Sequence, residues 1–331
     1  MHSRRLLSTA TVDASSKPIA LSSPLLCSQN GLPLCKEAII NIILHLDRKG
    51  GPCPEDLPYL EQFSRQILAS LASETINKED LAEISRCLGE TYLAHSVNGR
   101  SLNKPEGYAG DFMLIEYIYQ YLVCPHPQYR NWDLCFHELA GAKAVRNRKH
   151  YFKEQAAKLI IRNPEDDFSI LTLASGPARE ILELYQSLPQ HTFFNTCLDA
   201  DPKALAYAQD LLSGYSDQLE FVKSNVFRYQ ASQTHDLIWS AGMFDYLSDK
   251  LFVYLLKRMK TWLKPNGKII VGNFSSYNPS RCYMEVFGEW YLHHRSENQL
   301  IELALQAGYE MNQIHIGRES LGVNLFLHLS L

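Results

Sequence analysis

The residues best suited to chemistry are a glycine and an acid set 23 positions apart. Gly176 follows the apolar run Ile170–Ala174 through Ser175, and Asp199 follows a second apolar run, Phe193–Leu198. A buried strand that turns through glycine into a helix lets backbone approach a ligand and offers it free N–H groups, which makes a nucleotide-binding device. An acid at the end of the next strand can accept hydrogen bonds from both hydroxyls of a ribose. Pro177 suits the first helical position, where its missing N–H has no partner. Asp201, just before Pro202, reads instead as a helix cap. Farther on, Asp245 can serve as base or orienter and Tyr246 can turn its ring toward a cation. Asp245 is also suited to capping the next helix.

The elements that must hold these residues alternate strand and helix from Ser169 onward, the signature of an open α/β sheet. Strands are expected at Ile170–Ala174, Phe193–Leu198, Leu219–Val222, Leu237–Ser240, Lys268–Gly272, Met311–Ile316 and Val323–Leu329. Helices are expected at Pro177–Gln186, Pro202–Leu212, Lys250–Trp262 and Glu297–Ala307. Only Gly317 to Gly322 joins the last two strands, too little for a parallel crossover, so they must pair antiparallel. Before the sheet, helical spacing marks Leu34–Leu46, Pro54–Ser73 and a third run capped by Asn77, together a small bundle. The segment Asn-Lys-Pro-Glu-Gly-Tyr-Ala-Gly-Asp-Phe from Asn103 to Phe112 reads as a lid over a neighbouring pocket, or as a loop in which Asp111 caps the helix Phe112–Leu122. A further helix is expected from Trp132 to Ile161.

With 331 residues, 46% apolar and 21% charged, the chain can build one large or two ordinary domains with a sizeable core. A net charge of −4 gives no basic field for nucleic acid or anionic membrane. No apolar run approaches the roughly 18 residues that span a bilayer. The eight cysteines never form a C-x-x-C pair, and the twelve histidines form no H-x-x-x-H, so no metal site is expected and reduced thiols in a cytoplasmic protein fit. Residues 1–30, rich in Ser, Ala and Thr, read as a disordered leader, with a transit peptide as the alternative. The expected division is a helical domain at 31–165 and an α/β domain at 166–331.

The turn at Gly176 is a poor dinucleotide fingerprint, because Arg179 stands where the third glycine of G-x-G-x-x-G belongs. An adenosine ligand without a pyrophosphate fits better. At this point the chain resembles the class I S-adenosylmethionine-dependent methyltransferases. The resemblance rests on Leu173-Ala174-Ser175-Gly176-Pro177, Asp199-Ala200, Ser224-Asn225-Val226, the strand ending Ser240-Ala241-Gly242 and the turn Leu263-Lys-Pro-Asn-Gly267. It implies a Rossmann-like seven-stranded sheet with a terminal antiparallel hairpin and S-adenosylmethionine as cofactor. Ala174, Ser175 and Gly176 would lie under its methionine portion, Asp199 and Ala200 at the ribose, Asn225 and Val226 at the adenine, and Ser240 and Ala241 beside the methyl. A narrower resemblance, carried by Gly107-Tyr-Ala-Gly-Asp-Phe112, Ala144-Val-Arg-Asn-Arg148, Gly176-Pro-Ala-Arg-Glu180 and Asn278-Pro-Ser-Arg-Cys-Tyr-Met-Glu285, is to a bacterial subgroup that includes 3-hydroxypalmitate methyl ester synthases. It implies an all-helical cap domain with Tyr108, Arg146 and Arg148 turned toward the cofactor.

The insertion Phe274 to Arg295 must sit beyond the carboxyl ends of the strands, where ligands of open sheets bind. Arg281 or Arg295 could hold an acceptor carboxylate there, with Glu285 and Tyr283 nearby, or the insertion is a packing layer. Asp245, Tyr246 and Tyr283 are the candidates for the reacting centre. The expected activity is methyl transfer to a small-molecule or lipid-like acceptor, at oxygen or on a carboxylate. The alternative is a lyase that cyclises S-adenosylmethionine to azetidine-2-carboxylate and releases methylthioadenosine.

Overall fold

The computed structural model describes residues 33–163 and 167–331; the expected leader lies outside the described residues. Among the described residues, eight α-helices precede the first strand: α1 (Lys36–Arg48), α2 (Leu57–Ala72), α3 (Lys78–Arg86), α4 (Gly89–His95), α5 (Val97–Asn103), α6 (Phe112–Gln120), α7 (Pro127–Glu138) and α8 (Ala140–Arg162). Asn77 caps α3, its side chain accepting from Glu79 N at 2.8 Å and Asp80 N at 2.9 Å. Asp111 caps α6 at Leu114 N, 2.7 Å. Ile39, Phe63, Ile84, Tyr92 and Trp132 from five of these helices meet in one apolar core.

The single helix expected from Trp132 to Ile161 is instead two, α7 and α8, broken where Leu139 takes an extended backbone (φ −53°, ψ 139°). Leu139 is fully buried at the break, and Arg146 donates to the freed carbonyl of His137 at 2.7 Å. That carbonyl would otherwise be an unsatisfied helix end.

The sheet has seven strands, β1 (Phe168–Leu173), β2 (Phe193–Asp199), β3 (Leu219–Lys223), β4 (His235–Ser240), β5 (Leu263–Phe274), β6 (Ile314–Arg318) and β7 (Asn324–Ser330). Their order is β3-β2-β1-β4-β5-β7-β6, with β7 antiparallel to both neighbours and the first five parallel. Helices α9 (Arg179–Ser187), α10 (Pro202–Leu211), α11 (Asp249–Met259), α12 (Arg281–Phe287) and α13 (Glu297–Gln306) follow between strands. Because side chains alternate across a strand, Ile170, Leu237 and Trp239 pack against α8, α9 and α10, while Leu171 and Ile238 pack against α11 and α13.

Helix α8 serves both halves. Its Ala144 and Val145 lie in the core of the helical half, and its Phe152, Ala156 and Ile160 lie against the sheet. The insertion returns the connection: Tyr283, Met284, Val286 and Phe287 of α12 complete the helical core.

Candidate active site

A cavity of about 550 Å³ opens at the carboxyl ends of β1, β2 and β4. Strand order reverses between β1 and β4, and the crevice at such a switch point is where open α/β sheets bind ligands. The cavity floor is the turn after β1. Ala174, Gly176 and Ala178 all have positive φ (50°, 54° and 54°), so the chain coils tightly before α9 begins at Arg179. The expectation that Pro177 opens the helix is thereby corrected, since the left-handed Ala178 intervenes. The coil aims Gly176 N at Asp199 Oδ2, 2.9 Å away, while Asp199 Oδ1 accepts from Asp201 N at 2.9 Å. Burial, only partly opposed by these N–H groups, raises the Asp199 pKa. Asp201 caps α10 at Lys203 N, 2.9 Å, as expected.

The roof is the cap loop. Tyr108 Oη donates to Asp201 Oδ2 at 3.0 Å, so the loop is clasped to the start of α10. Tyr246, in a 3₁₀ turn after β4, donates to Ala109 O at 2.9 Å and accepts from Trp290 Nε1 at 2.7 Å. Its hydroxyl is thus committed to joining loop and insertion, and its ring is left to line the cavity. Gly110 is required at this junction: its φ is +67°, and a Cβ there would lie 2.5 Å from Tyr246 Oη.

Three buried charged groups face the cavity. Asp245 is 1% exposed and accepts from Phe274 N at 2.6 Å. Burial pushes its carboxyl up to about 7, against that N–H and the charges of Arg148 and Arg295. Glu180, on the first turn of α9, is 3% exposed, and its Oε2 has no hydrogen-bond partner. Burial pushes it up to about 7 as well, against its own backbone N–H, Arg148 and Lys149. Arg148 is 5% exposed and makes one long contact, Nε to Tyr119 Oη at 3.5 Å. Among the described residues no group of three or more His, Cys, Asp or Glu could hold a metal ion.

The structure brings together Tyr108, Arg148, Ala174, Ser175, Gly176, Asp199, Ala200, Ala241, Asp245 and Tyr246 around this one cavity. It does not bring Arg146 there. That guanidinium lies on another side of α8, over the Tyr121 ring at 4.9 Å and bonded to His137. Asn225 is spent locally, its Oδ1 accepting from Phe227 N at 2.9 Å, and neither it nor Val226 lines the cavity. Ser240 is wholly buried behind Ala241. The expectations for Tyr283, Arg281, Glu285 and Arg295 are corrected similarly. Tyr283 is buried in the helical core. Arg281 pairs with Glu285 at 2.7 Å one helical turn away, outside the cavity. Arg295 is saturated by Asp249, Asn273 and the carbonyls of Phe244 and Leu247. Trp290 and Tyr291 line the cavity from the insertion expected on the acceptor side, whereas Glu180 and Tyr119 line it although the sequence gave them no ligand role there. Only Glu180 had an available signal, a charged residue inside the turn motif.

Residues 170–267 match the family model of a methyltransferase domain. No curated protein matches the chain by sequence. Among solved structures, a possible exported protein from Bordetella parapertussis is similar over 90% of this chain and 97% of its own, with 16% identity and a TM-score of 0.60. The N-methyltransferase NodS from Bradyrhizobium japonicum WM9, in complex with S-adenosyl-l-homocysteine, is similar over 55% of this chain and 87% of its own, at 15% identity and TM-score 0.41. The magnesium protoporphyrin IX methyltransferase of Synechocystis PCC 6803 is similar over 58% and 86%, at 10% identity and TM-score 0.45. The fold is therefore a Rossmann-like one with a helical cap, and the cap is part of the likeness to the Bordetella protein, which covers nearly the whole chain.

Proposed function

We propose that the chain is an S-adenosylmethionine-dependent methyltransferase acting on a small-molecule or lipid-like acceptor, with transfer to an oxygen, including a carboxylate oxygen, favoured. The observation that carries this reading is the meeting of Gly176 N with Asp199 Oδ2 on the floor of a capped cavity at the switch point. The match of residues 170–267 to a methyltransferase domain supports it.

The donors present suit the cofactor. Asp199 retains lone pairs for ribose hydroxyls, the coiled turn at Gly176 admits close backbone approach, and Arg148 is a buried cation that makes no direct ion pair among the described residues. When bound, S-adenosylmethionine supplies a methyl group on a sulfonium that is already a good leaving group. What the chain must add is alignment in a dry pocket. Tyr108 and Tyr246 do this by holding the loop closed, and the Tyr246 ring presents a π-face to a cation. A cavity of about 550 Å³ is of small-molecule size. Labelled S-adenosylmethionine offered with a panel of hydroxy acids and fatty acids tests the reading. Labelled product is expected; tight cofactor binding without transfer to any acceptor would overturn it.

A second reading, the cyclising lyase, is favoured by one observation: Arg281 and Arg295, which were to hold an acceptor carboxylate, do not reach the cavity, whereas Asp245, pushed up to about 7, lines it. Asp245 would take a proton from the cofactor's ammonium, freeing the nitrogen to displace methylthioadenosine. Mass spectrometry of protein with S-adenosylmethionine alone separates the two readings. Methylthioadenosine and azetidine-2-carboxylate without any acceptor would replace the first reading by the second.

A further inference from the structure

After the fourth strand the chain makes one 3₁₀ turn, Met243–Tyr246, which carries Asp245 and Tyr246 to the cavity. A single turn of this kind has too few hydrogen bonds to fix its own shape or place. The two ends of the insertion fix it instead. They run side by side, Arg295 N donating to Phe274 O at 2.9 Å and Ser276 N to Arg295 O at 3.1 Å. From this base Phe274 N donates to Asp245 Oδ1 at 2.6 Å, and His293 N donates to Asp245 O at 2.7 Å.

The Arg295 side chain, 3% exposed, completes the grip. A guanidinium has five N–H donors in one rigid plane, and here each has an acceptor. Nη1 donates to Phe244 O at 3.2 Å and to Asn273 Oδ1 at 2.8 Å. Nη2 donates to Leu247 O at 2.5 Å and to Asp249 Oδ1 at 2.8 Å, and Nε reaches the same Oδ1 at 3.1 Å. Phe244 and Leu247 stand immediately before and after Asp245 and Tyr246, so one fork spans the pair. Burying a cation is costly unless its donors are matched, and two of the matching acceptors are the carbonyls that flank this pair. What the grip leaves free faces the ligand space. Asp245 Oδ2 lies 3.4 Å from where a Cβ on the cavity-lining Gly242 would stand, and the Tyr246 ring lines the cavity.

We propose that Arg295 is a positioning residue of the reacting centre: by binding the carbonyls that flank Asp245 and Tyr246, it sets where Asp245 Oδ2 and the Tyr246 ring stand in the cavity. The proposal rests on the S-adenosylmethionine reading for what reacts there. The residue expected to hold an acceptor carboxylate thus acts from behind the site, through the backbone of the turn.

Arg295→Lys tests this in the full chain, because lysine keeps the charge but its donors share one atom and cannot span the two carbonyls. Turnover of S-adenosylmethionine with the panel of hydroxy and fatty acids is counted as S-adenosylhomocysteine plus methylthioadenosine, so that either reaction registers. It should fall about 100-fold, the cost of a small misplacement, while the affinity for S-adenosylhomocysteine measured by isothermal titration is unchanged. Turnover and affinity falling together, or turnover unaltered, would overturn the proposal. Should that variant not fold, Asp249→Ala removes the two outermost contacts at a side chain 73% exposed; turnover should fall about tenfold at unchanged affinity, and full turnover would overturn the proposal. Wild-type protein that neither consumes S-adenosylmethionine nor binds S-adenosylhomocysteine would overturn the methyltransferase reading itself. The geometry is then judged by fluorine NMR of the chain labelled with 5-fluorotryptophan. Trp290 Nε1 donates to Tyr246 Oη at 2.7 Å, so its resonance, identified by its loss in Trp290→Phe, reports the turn. Arg295→Lys should shift or broaden that resonance and leave the other three tryptophans in place. An unmoved Trp290 signal would overturn the proposal.

Discussion

Tyr108 and Asp201 touch at 3.0 Å across the mouth of the cavity, one from the cap loop and the other from the N-cap of α10. Asp201 thus holds the loop with Oδ2 and the helix with Oδ1. Tyr108→Phe removes only the first of these. Losing one such hydrogen bond costs about 1 kcal/mol, so stopped-flow dissociation of S-adenosylhomocysteine should quicken about fivefold with thermal stability unchanged. An unaltered off-rate would show that the clasp does not gate the site.

The junction above it is less forgiving. Gly110→Ala places a methyl against Tyr246 Oη and the Trp290 ring, 2.5 and 2.8 Å from the new carbon, at a φ that alanine resists. The loop must lift. Ligand affinity should fall at least about tenfold, with far-ultraviolet circular dichroism retained.

Glu116 and Arg179 tie the cap to α9 through a bidentate pair in which the Glu116 side chain is 1% exposed. Removing one partner strands the other, so Arg179→Met should destabilise by about 3 kcal/mol in denaturant titration. Adding Glu116→Gln should recover part of that loss. A double variant no better than the single would place the effect in packing instead of charge.

Asp245 keeps its proton in the folded protein up to about pH 7, against an ordinary value of 3.8. The unfolded chain binds fewer protons in that window, so this residue's contribution to stability is present at low pH and lost as pH rises through about 7. His137, His235 and His328, lowered by burial to about 4, act with the opposite sign, so the net slope of the wild type is not diagnostic. The difference is. Asp245→Asn, which can still accept from Phe274 N, should gain on the wild type by about 2 kcal/mol between pH 5 and pH 8. A constant difference would refute a raised Asp245.

Much of the sheet was legible because short apolar runs between turn residues leave few alternatives, and because the Gly176–Asp199 spacing is imposed by a strand, a turn and a helix in succession. The cap was less so. Arg146 and Arg148 stand two residues apart, about 200° around α8, so only one can face the cavity; choosing between them needs the rotation of α8. That rotation is set by the break at Leu139, where neither proline nor glycine marks the stop. Arg281 and Glu285 carried a local warning, since their i, i+4 spacing lets them pair with each other on a helix. Glu180 was hidden by its neighbour Arg179, because adjacent charges do not announce which of them is satisfied.

The placement of α12 bears on how the chain comes to be folded at all. Val286 O accepts from Ser85 Oγ, Phe287 O from Asn98, and Glu289 pairs with Arg86 and Lys104, so residues near position 287 finish a core begun by α1 to α5. On the ribosome, Ser85 of α3 emerges 201 residues before its closing partner Val286. Until then the part of the apolar seam that α12 covers stays open, and chaperone dependence during synthesis is the natural consequence of this topology.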